Sequence, residues 1–182
     1  FPRVCFEEAL SIQKAYNELY AAIAQDEEWL KDIVDELVAI DDFVGKLWDV
    51  HVAVKKEGYV QDLSLGMFRS DYMVHVDPQD TNAKPGIKQV EFNTIASSFG
   101  GLSSQVSTLH KYLLKLDAYP EEATSIVKAS SLPTSKSVPS LAAGLAAAHK
   151  AYGSSKSSNP LCVLFVVQDP ERNVFDQRHL EY

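Results

Sequence analysis

The sequence has few of the features that mark secreted, membrane-embedded or nucleic-acid-binding proteins. Its two cysteines, Cys5 and Cys162, exclude a disulfide framework and leave open one bridge at most. Its longest apolar run, Leu161 to Val167, is far shorter than the roughly 20 residues of a membrane-spanning helix. The formal net charge of -8 disfavours adhesion to nucleic acids or anionic membranes. We therefore expect a soluble protein of the reducing cytoplasm, with no nucleic-acid or membrane partner.

Familiar nucleotide and nucleophile motifs are also missing. Neither GxxxxGK[ST] nor GxGxxG occurs, so any nucleotide site here is neither a P-loop nor a Rossmann turn. Ser98 lies in no strained elbow and has no indicated histidine partner, which makes it a weak candidate for a covalent nucleophile. The histidines show no metal-binding spacing.

The chain begins Phe1-Pro2-Arg3 without methionine and ends inside a predicted helix. We therefore expect it to be a segment of a longer polypeptide. Hydrophobic residues make up 46% of it and charged residues 23%, which is typical of a globular protein that buries a core.

The first 58 residues carry three apolar stripes at helical spacing. Asp26 and Asp41 are predicted to cap the second and third helices, and Gly58 to end the third. A hairpin follows, with strand residues in 64–76 and 87–95 and a turn-rich loop between them. Further helices are predicted from Leu102 and over 140–152. A buried strand over 161–167 should then lead to a helix capped by Asn173.

This pattern predicts an α/β (α+β) fold with three segments. Residues 1–118 should form an amino-terminal helical layer with antiparallel strands. Residues 119–160 should be a connector that contains an alanine-rich helix. Residues 161–182 should open an α/β substrate-binding domain, because a buried strand, a short loop and a helix begin such a unit.

The strand around Glu91 is the first candidate site. Alternate strand residues share a face, so Gln89, Glu91 and Asn93 should lie together, with Val90 and Phe92 on a core face. One carboxylate beside amide oxygens suits Mg²⁺, which often keeps phosphate and water ligands as well. A solvent-exposed strand face explains the same spacing, and spacing alone favours that simpler interpretation.

Two further features precede the fourth helix. The turn Ser97 to Gly101 should present backbone N–H groups to a carboxylate or phosphate, or else be a plain loop whose serine caps the helix. Arg69 is either a clamp for a substrate carboxylate or the structural partner of Asp71.

A last polar group follows the strand over 161–167. Ligands of open α/β folds gather at the carboxyl ends of strands. Glu171 could accept from an ammonium group, and Asn173 and Gln177, four residues apart, share a helical face that could contact an amide or carboxylate. The alternative is a helix cap surrounded by solvated charges.

Four segments together, in this order, resemble eukaryotic-type glutathione synthetases: Phe68–Met73, Lys88–Thr94, Ser98–Leu102 and Glu171–Arg178. The resemblance runs nearly end to end. It implies the body of an ATP-grasp ligase followed by the start of its substrate domain. It also implies ATP-dependent joining of γ-glutamylcysteine to glycine through an acyl phosphate, with Mg²⁺ as cofactor and a homodimeric assembly.

The resemblance further implies roles for individual residues. Arg69 would meet the substrate near the reacting carboxylate, and Glu91 and Asn93 would hold Mg²⁺–ATP, with Met73 on the nucleotide side. The substrate loop would be Ile95, Ala96, Ser97 and Ser98, although the family often has serine where this chain has Ala96. The γ-glutamyl end would contact Glu171, Asn173 and Gln177.

The resemblance places other parts of the site outside these residues. Nucleotide-binding lysines, a glycine-rich lid, another metal-binding glutamate and the glycine-selecting loop belong to the family's carboxy-terminal portion. We therefore expect the segment alone to be inactive. Two rival hypotheses are a noncatalytic γ-glutamyl-peptide-binding module or subunit and a purely structural helical protein.

Overall fold

The computed structural model describes residues 1–80 and 82–182. The elements in chain order are α1 (Arg3–Ile23), α2 (Glu27–Val38), α3 (Asp42–Glu57), β1 (Arg69–His75), β2 (Gly86–Asn93), α4 (Gly100–Lys115), α5 (Glu121–Thr124), a 3-10 turn (Ala129–Ser131), α6 (Ser137–Tyr152) and α7 (Val174–Glu181). The described contacts form two compact units. Unit 1 comprises Phe1–Ser64 with Ser70–Asn93, and unit 2 comprises Leu65–Arg69 with Thr94–Tyr182. The predicted boundaries at 118/119 and 160/161 stay predictions.

The amino-terminal helices of unit 1 begin and end where local chemistry predicts. The carboxylate of Asp26 accepts from the backbone N–H of Trp29 at 3.1 Å and so caps α2. Asp41 accepts from the N–H groups of Phe43 and Val44 at 2.9 and 3.2 Å and caps α3. Gly58 ends α3 with φ of 99°, a value that glycine adopts without steric cost. All three predictions are confirmed.

The two strands of unit 1 pair as the predicted hairpin. The ring of Tyr20 on α1 stacks on Phe92 of β2, with centroids 3.8 Å apart and planes 5° from parallel. The predicted core face is therefore correct for Phe92. It is wrong for Val90, which stays 59% exposed.

Unit 2 is built around α4, which packs against α6 and α7. Gly101 in the first turn of α4 is buried, and its missing side chain lets α7 approach closely. The connector predicted over 119–160 contains the single turn of α5 and a 3-10 turn before its alanine-rich helix. That helix begins at Ser137, three residues earlier than predicted.

The prediction of a buried strand over 161–167 is wrong. The structure assigns no strand to these residues, and Leu164 and Val166 are 83% and 92% exposed. A strand requires a neighbour that pairs with its backbone N–H and C=O groups, and residues 1–80 and 82–182 supply none. Composition alone could not reveal this.

The expected core is also much smaller than the composition suggests. Within the described ranges, Cys5 has the one buried hydrophobic side chain, whereas Leu10 and Phe43 on the helical apolar stripes are 65% and 61% exposed. Both cysteines are free thiols, and Cys162 is exposed. No helix that the structure describes has both the length and the hydropathy needed to cross a membrane.

Candidate functional site

Glu91 and Asn93 form a side-chain pair on β2 of unit 1. The Asn93 amide Nδ2 donates to Glu91 Oε1 at 3.1 Å, as their shared strand face predicts. Gln89 is engaged elsewhere: its Nε2 donates to Ser70 Oγ at 3.3 Å, and its Oε1 accepts from the Tyr20 hydroxyl at 3.5 Å. The candidate pair therefore consists of the Glu91 carboxylate and the Asn93 amide. Gln89 instead links the two strands of the hairpin and contacts α1.

The Glu91–Asn93 pair fits a divalent cation that takes most of its ligands from elsewhere. Its oxygens are hard donors of the kind that Mg²⁺ binds, and their side chains already lie within hydrogen-bonding distance of each other. Among the described residues no group of three or more His, Cys, Asp or Glu side chains converges on one point. Such a pair suits Mg²⁺ carried on phosphate groups better than a cage of protein ligands. Met73 on β1 of the same unit is 66% exposed.

In unit 2 the guanidinium group of Arg69 lies against the loop before α4. Its Nη1 donates to Ser98 Oγ at 3.2 Å and, with a longer contact of 3.5 Å, to the Ser98 carbonyl oxygen. Its Cζ also lies 5.4 Å from the ring centroid of Phe99, a cation–π arrangement. These contacts hold the guanidinium group beside Ser98 and Phe99.

The loop itself holds two residues in the left-handed backbone region. Ala96 has φ of 51° and Phe99 has φ of 71°, and Ser97 and Ser98 lie between them. A side chain in this region costs about 1–2 kcal/mol, and such strain often occurs at binding sites. Ile95, at the start of the loop, is 61% exposed. The predicted substrate loop is thus a defined, strained turn.

We expect Ala96→Gly to raise the free energy of unfolding by about 0.5–1 kcal/mol, because glycine adopts positive φ without the Cβ clash. Urea denaturation followed by circular dichroism measures this change. Ala147→Gly in α6 is the matched control and should lower stability by about 1 kcal/mol, because it places glycine inside a helix. A loss of stability with Ala96→Gly would contradict the strain assigned to residue 96.

The residue that sequence reasoning missed is Asp176 on α7. Its side chain is 7% exposed, and its carboxylate accepts from the backbone N–H of Phe99 at 2.5 Å and of Leu102 at 2.8 Å. The prediction that these amides could hold a carboxylate is correct in kind, but the carboxylate is the protein's own. Residue 176 lies more than 70 residues from residues 99 and 102, so no local sequence pattern predicts these hydrogen bonds.

Asp176 is held in its ionised form. Burial acts to raise its pKa, but hydrogen bonds from the N–H groups of Leu102 and Phe99 and from Asn173 outweigh that effect and lower the pKa below its ordinary value. Ionised Asp176 therefore stabilises the fold above its unfolded-state pKa. This contribution is lost as the pH falls through the lower, folded-state pKa.

The three residues predicted for the γ-glutamyl end lie together in unit 2. The backbone N–H of Asn173 donates to Glu171 Oε1 at 2.5 Å, and Gln177 Nε2 lies 3.4 Å from Glu171 Oε2. Gln168 Nε2 donates to the same Oε2 at 3.1 Å. The carboxylate of Glu171 is thus the centre of a small polar cluster where α7 begins.

The side chain of Asn173 does not cap α7 as predicted. Its Nδ2 donates to Asp176 Oδ2 at 2.6 Å, which turns the amide away from the N–H groups of its own helix. Its Oδ1 is buried and has no hydrogen-bond partner among the described residues. A buried acceptor without a donor is costly, so this atom is available to accept from water or from a donor on a ligand.

Unit 2 therefore joins the predicted peptide-binding residues through one continuous set of contacts. Arg69 touches Ser98 and Phe99, the Phe99 amide touches Asp176, and Asp176 touches Asn173 beside Glu171. One end presents a cation and a hydroxyl group, and the other presents acceptors. Such an arrangement suits a zwitterionic ligand with a carboxylate at one end and an ammonium group at the other.

A groove of about 730 Å³ in unit 2 has Gln177 as the one predicted site residue in its lining. It is bounded by α6, α7 and the exposed segment 161–167, and its walls include Val163, Phe165 and Ala146. Its lining mixes apolar side chains with the polar groups of His149, Gln177, Arg178 and Glu181. We assign no chemistry to the groove, because Gln177 alone among the predicted site residues lines it.

Comparison with known proteins gives consistent matches along the chain. A family model described as "Eukaryotic glutathione synthase, ATP binding domain" matches residues 1–162, and one described as "Eukaryotic glutathione synthase" matches residues 161–182. The glutathione synthetase large chain of Schizosaccharomyces pombe is 43% identical over 199 residues, which cover 100% of this chain and 38% of that protein.

The glutathione synthetase of Homo sapiens is 37% identical over 180 residues, which cover 99% of this chain and 35% of that protein. The glutathione synthetase of Dictyostelium discoideum is 37% identical over 177 residues, which cover 97% of this chain and 35% of that protein. The chain thus spans 35% to 38% of the length of these relatives.

Proposed function

The chain belongs to the eukaryotic glutathione synthase family, and from that premise we propose that its full-length gene product is an ATP-dependent ligase that joins γ-glutamylcysteine to glycine. The observation that carries the proposal is the continuous set of contacts in unit 2 from Arg69 to Glu171. A dipeptide with separated charges matches both ends of that set.

The γ-glutamyl end of the dipeptide would bind where α7 begins. Its α-ammonium group is a donor, and the carboxylate of Glu171 and the unpartnered Oδ1 of Asn173 are acceptors. Gln177 would turn its Nε2 towards the α-carboxylate of the same group. Binding would then satisfy the buried acceptor that the ligand-free contacts leave open.

The cysteinyl end would lie at the loop before α4. Arg69 would pair with the reacting carboxylate, and the Ser98 hydroxyl, with the backbone of Ile95 to Ser97, would line the dipeptide. The carboxylate oxygen accepts the γ-phosphoryl group of ATP, and ADP leaves. The glycine nitrogen then attacks the carbonyl carbon, loses a proton and displaces phosphate. Such a reaction needs positioning and charge neutralisation more than a protein nucleophile.

In unit 1, Glu91 and Asn93 would hold Mg²⁺, with the Asn93 amide turned to present its oxygen, and Met73 would lie beside the nucleotide. When bound, the ion would neutralise charge on the phosphate groups of ATP. Glu91 and Asn93 support this assignment through their donor types and mutual contact.

The remaining assignments rest on the family resemblance. We propose a cytoplasmic homodimer in which sequence corresponding to the rest of the relatives completes the nucleotide and glycine sites. We also propose the domain division at 118/119 and 160/161. The exposed segment 161–167 is consistent with this proposal, because strands supplied by that sequence would pair with it.

Titration calorimetry with γ-glutamylcysteine tests the proposal on the full-length gene product. We expect Glu171→Gln to weaken dipeptide binding by about 10- to 100-fold, because a charge-assisted hydrogen bond to the ammonium group is lost. Glu122→Gln on exposed α5 is the matched control and should bind like the wild type.

Three outcomes would contradict all or part of this proposal. Absence of dipeptide binding by the wild type would overturn the site itself. Dipeptide binding without glutathione formation from ATP and glycine would favour the noncatalytic module. Glutathione formation with unchanged affinity in Glu171→Gln would overturn the role of Glu171 alone.

A further inference from the structure

Asp176 is the one buried charged side chain among the residues that the structure describes, and it has no role in the proposed chemistry. We propose that Asp176 is a positioning residue that fixes the distance between the two ends of the dipeptide site. This inference rests on the proposed function. It assigns a task to a residue that touches neither the ammonium group nor the reacting carboxylate.

On the loop side, Asp176 holds the backbone that carries the cationic end of the site. Its Oδ2 accepts from the Phe99 N–H at 2.5 Å, and Phe99 is the left-handed residue whose ring lies beneath the Arg69 guanidinium group. Its Oδ1 accepts from the Leu102 N–H at 2.8 Å, in the positive first turn of α4. The position of Arg69 therefore depends on Asp176 through Phe99.

On the α7 side, the same carboxylate orients the acceptor end. Asp176 Oδ2 accepts from Asn173 Nδ2 at 2.6 Å, so the Asn173 amide has one defined orientation. That orientation leaves Oδ1 as the buried atom without a described partner. The Asp176 carboxylate thus positions both the backbone of the loop at Phe99 and the side-chain amide of Asn173.

The packing around Asp176 leaves it little freedom to move. A Cβ atom built on Gly101 would lie 2.9 Å from Asp176 Oδ1, which shows how closely α4 and α7 approach here. Asp176 accepts all three hydrogen bonds, and an ionised carboxylate can do so because it carries no proton of its own. An asparagine at this position would turn an NH₂ group towards at least one N–H donor, and the loop would have to shift.

A cap that only stabilises a helix should not change the affinity for the dipeptide when it is substituted. Asp41 also accepts two backbone N–H bonds at a helix start, but it is exposed and lies in unit 1, where it caps α3. Asp41→Asn therefore makes the same chemical change at an exposed cap that contacts none of the dipeptide residues, and asparagine is itself a good helix cap. It is the matched control for Asp176→Asn.

The experiment uses steady-state kinetics and calorimetry of the full-length gene product with γ-glutamylcysteine as the probe. Asp176→Asn is expected to raise KM and Kd for the dipeptide by about 10- to 100-fold, with KM for ATP unchanged. Asp41→Asn should leave both KM values unchanged. Circular dichroism establishes that each variant is folded.

If Asp176→Asn does not fold, Asp176→Glu takes its place. It keeps the charge but moves the carboxylate by one methylene, so a position-dependent role still predicts a higher KM for the dipeptide alone. An unchanged dipeptide KM in the folded variant, or equal increases for dipeptide and ATP, would overturn the inference while the proposed function stands. Failure of the wild type to bind dipeptide would overturn both.

Discussion

An Arg69→Ala variant of the full-length gene product is expected to keep its fold and its affinity for ATP but to form glutathione about 100- to 1,000-fold more slowly. Nη1 of the guanidinium group donates to Ser98, and the group lies over Phe99 before any ligand binds. A cation that is already oriented stabilises charge on the reacting carboxylate without reorganisation during the reaction. Alanine removes that stabilisation, and the effect should appear mainly in kcat.

Two companion variants sharpen the test. Arg69→Lys keeps the charge but loses the planar group, and we expect it to recover only a small part of the rate. Arg178→Ala removes an exposed arginine whose partner is Glu181 three residues away, and it should leave the rate unchanged. A kcat for Arg69→Ala within a few fold of the wild type would show that the proposed role is wrong.

The second large effect is expected at Gly101. Alanine at this position would bring its Cβ to 2.9 Å from Asp176 Oδ1 and to 2.9 Å from His179 Cβ, so α4 and α7 would have to separate. Overpacking of this kind costs about 1–3 kcal/mol. We expect Gly101→Ala to lower the free energy of unfolding by that amount and to weaken dipeptide binding, measured by urea denaturation and calorimetry.

The neighbouring glycine provides the control. A Cβ on Gly100 would approach only Cδ1 of Leu141, the end of a flexible side chain that can rotate away. Gly100→Ala therefore makes the same change in the same helical turn, yet it should alter stability by less than about 1 kcal/mol and leave binding unchanged. Equal losses in the two variants would show that the close approach of α7 is not the cause.

Much of the local structure could be predicted because its causes lie close together in the sequence. Asp26 and Asp41 accept from N–H groups two or three residues ahead, so their caps are visible in the sequence. Likewise, Glu91 and Asn93 share a strand face at any register of the hairpin. These features depend on helical period, strand alternation and short-range hydrogen bonds.

The unpredicted features depend on contacts between distant residues. Asp176 reaches amides 74 and 77 residues earlier, and no pattern near it announces that pairing. The sequence predicts that Asn173 caps its helix, but its amide Nδ2 donates to Asp176 and its side chain makes no capping hydrogen bond. The run over 161–167 has strand composition, yet composition does not supply a neighbouring strand.

That same run has a consequence for handling the chain. Leu161 to Val167 combines β-branched and aromatic residues with no charge and no proline, which is the composition of segments that stack into cross-β aggregates. Because the apolar side chains of this run are exposed, purified chains are expected to associate through it and to bind chaperones that recognise extended apolar peptides. Pro160 directly precedes the run, and Asp169 and Pro170 follow it after Gln168, so proline and charge limit the aggregation-prone stretch to these seven residues.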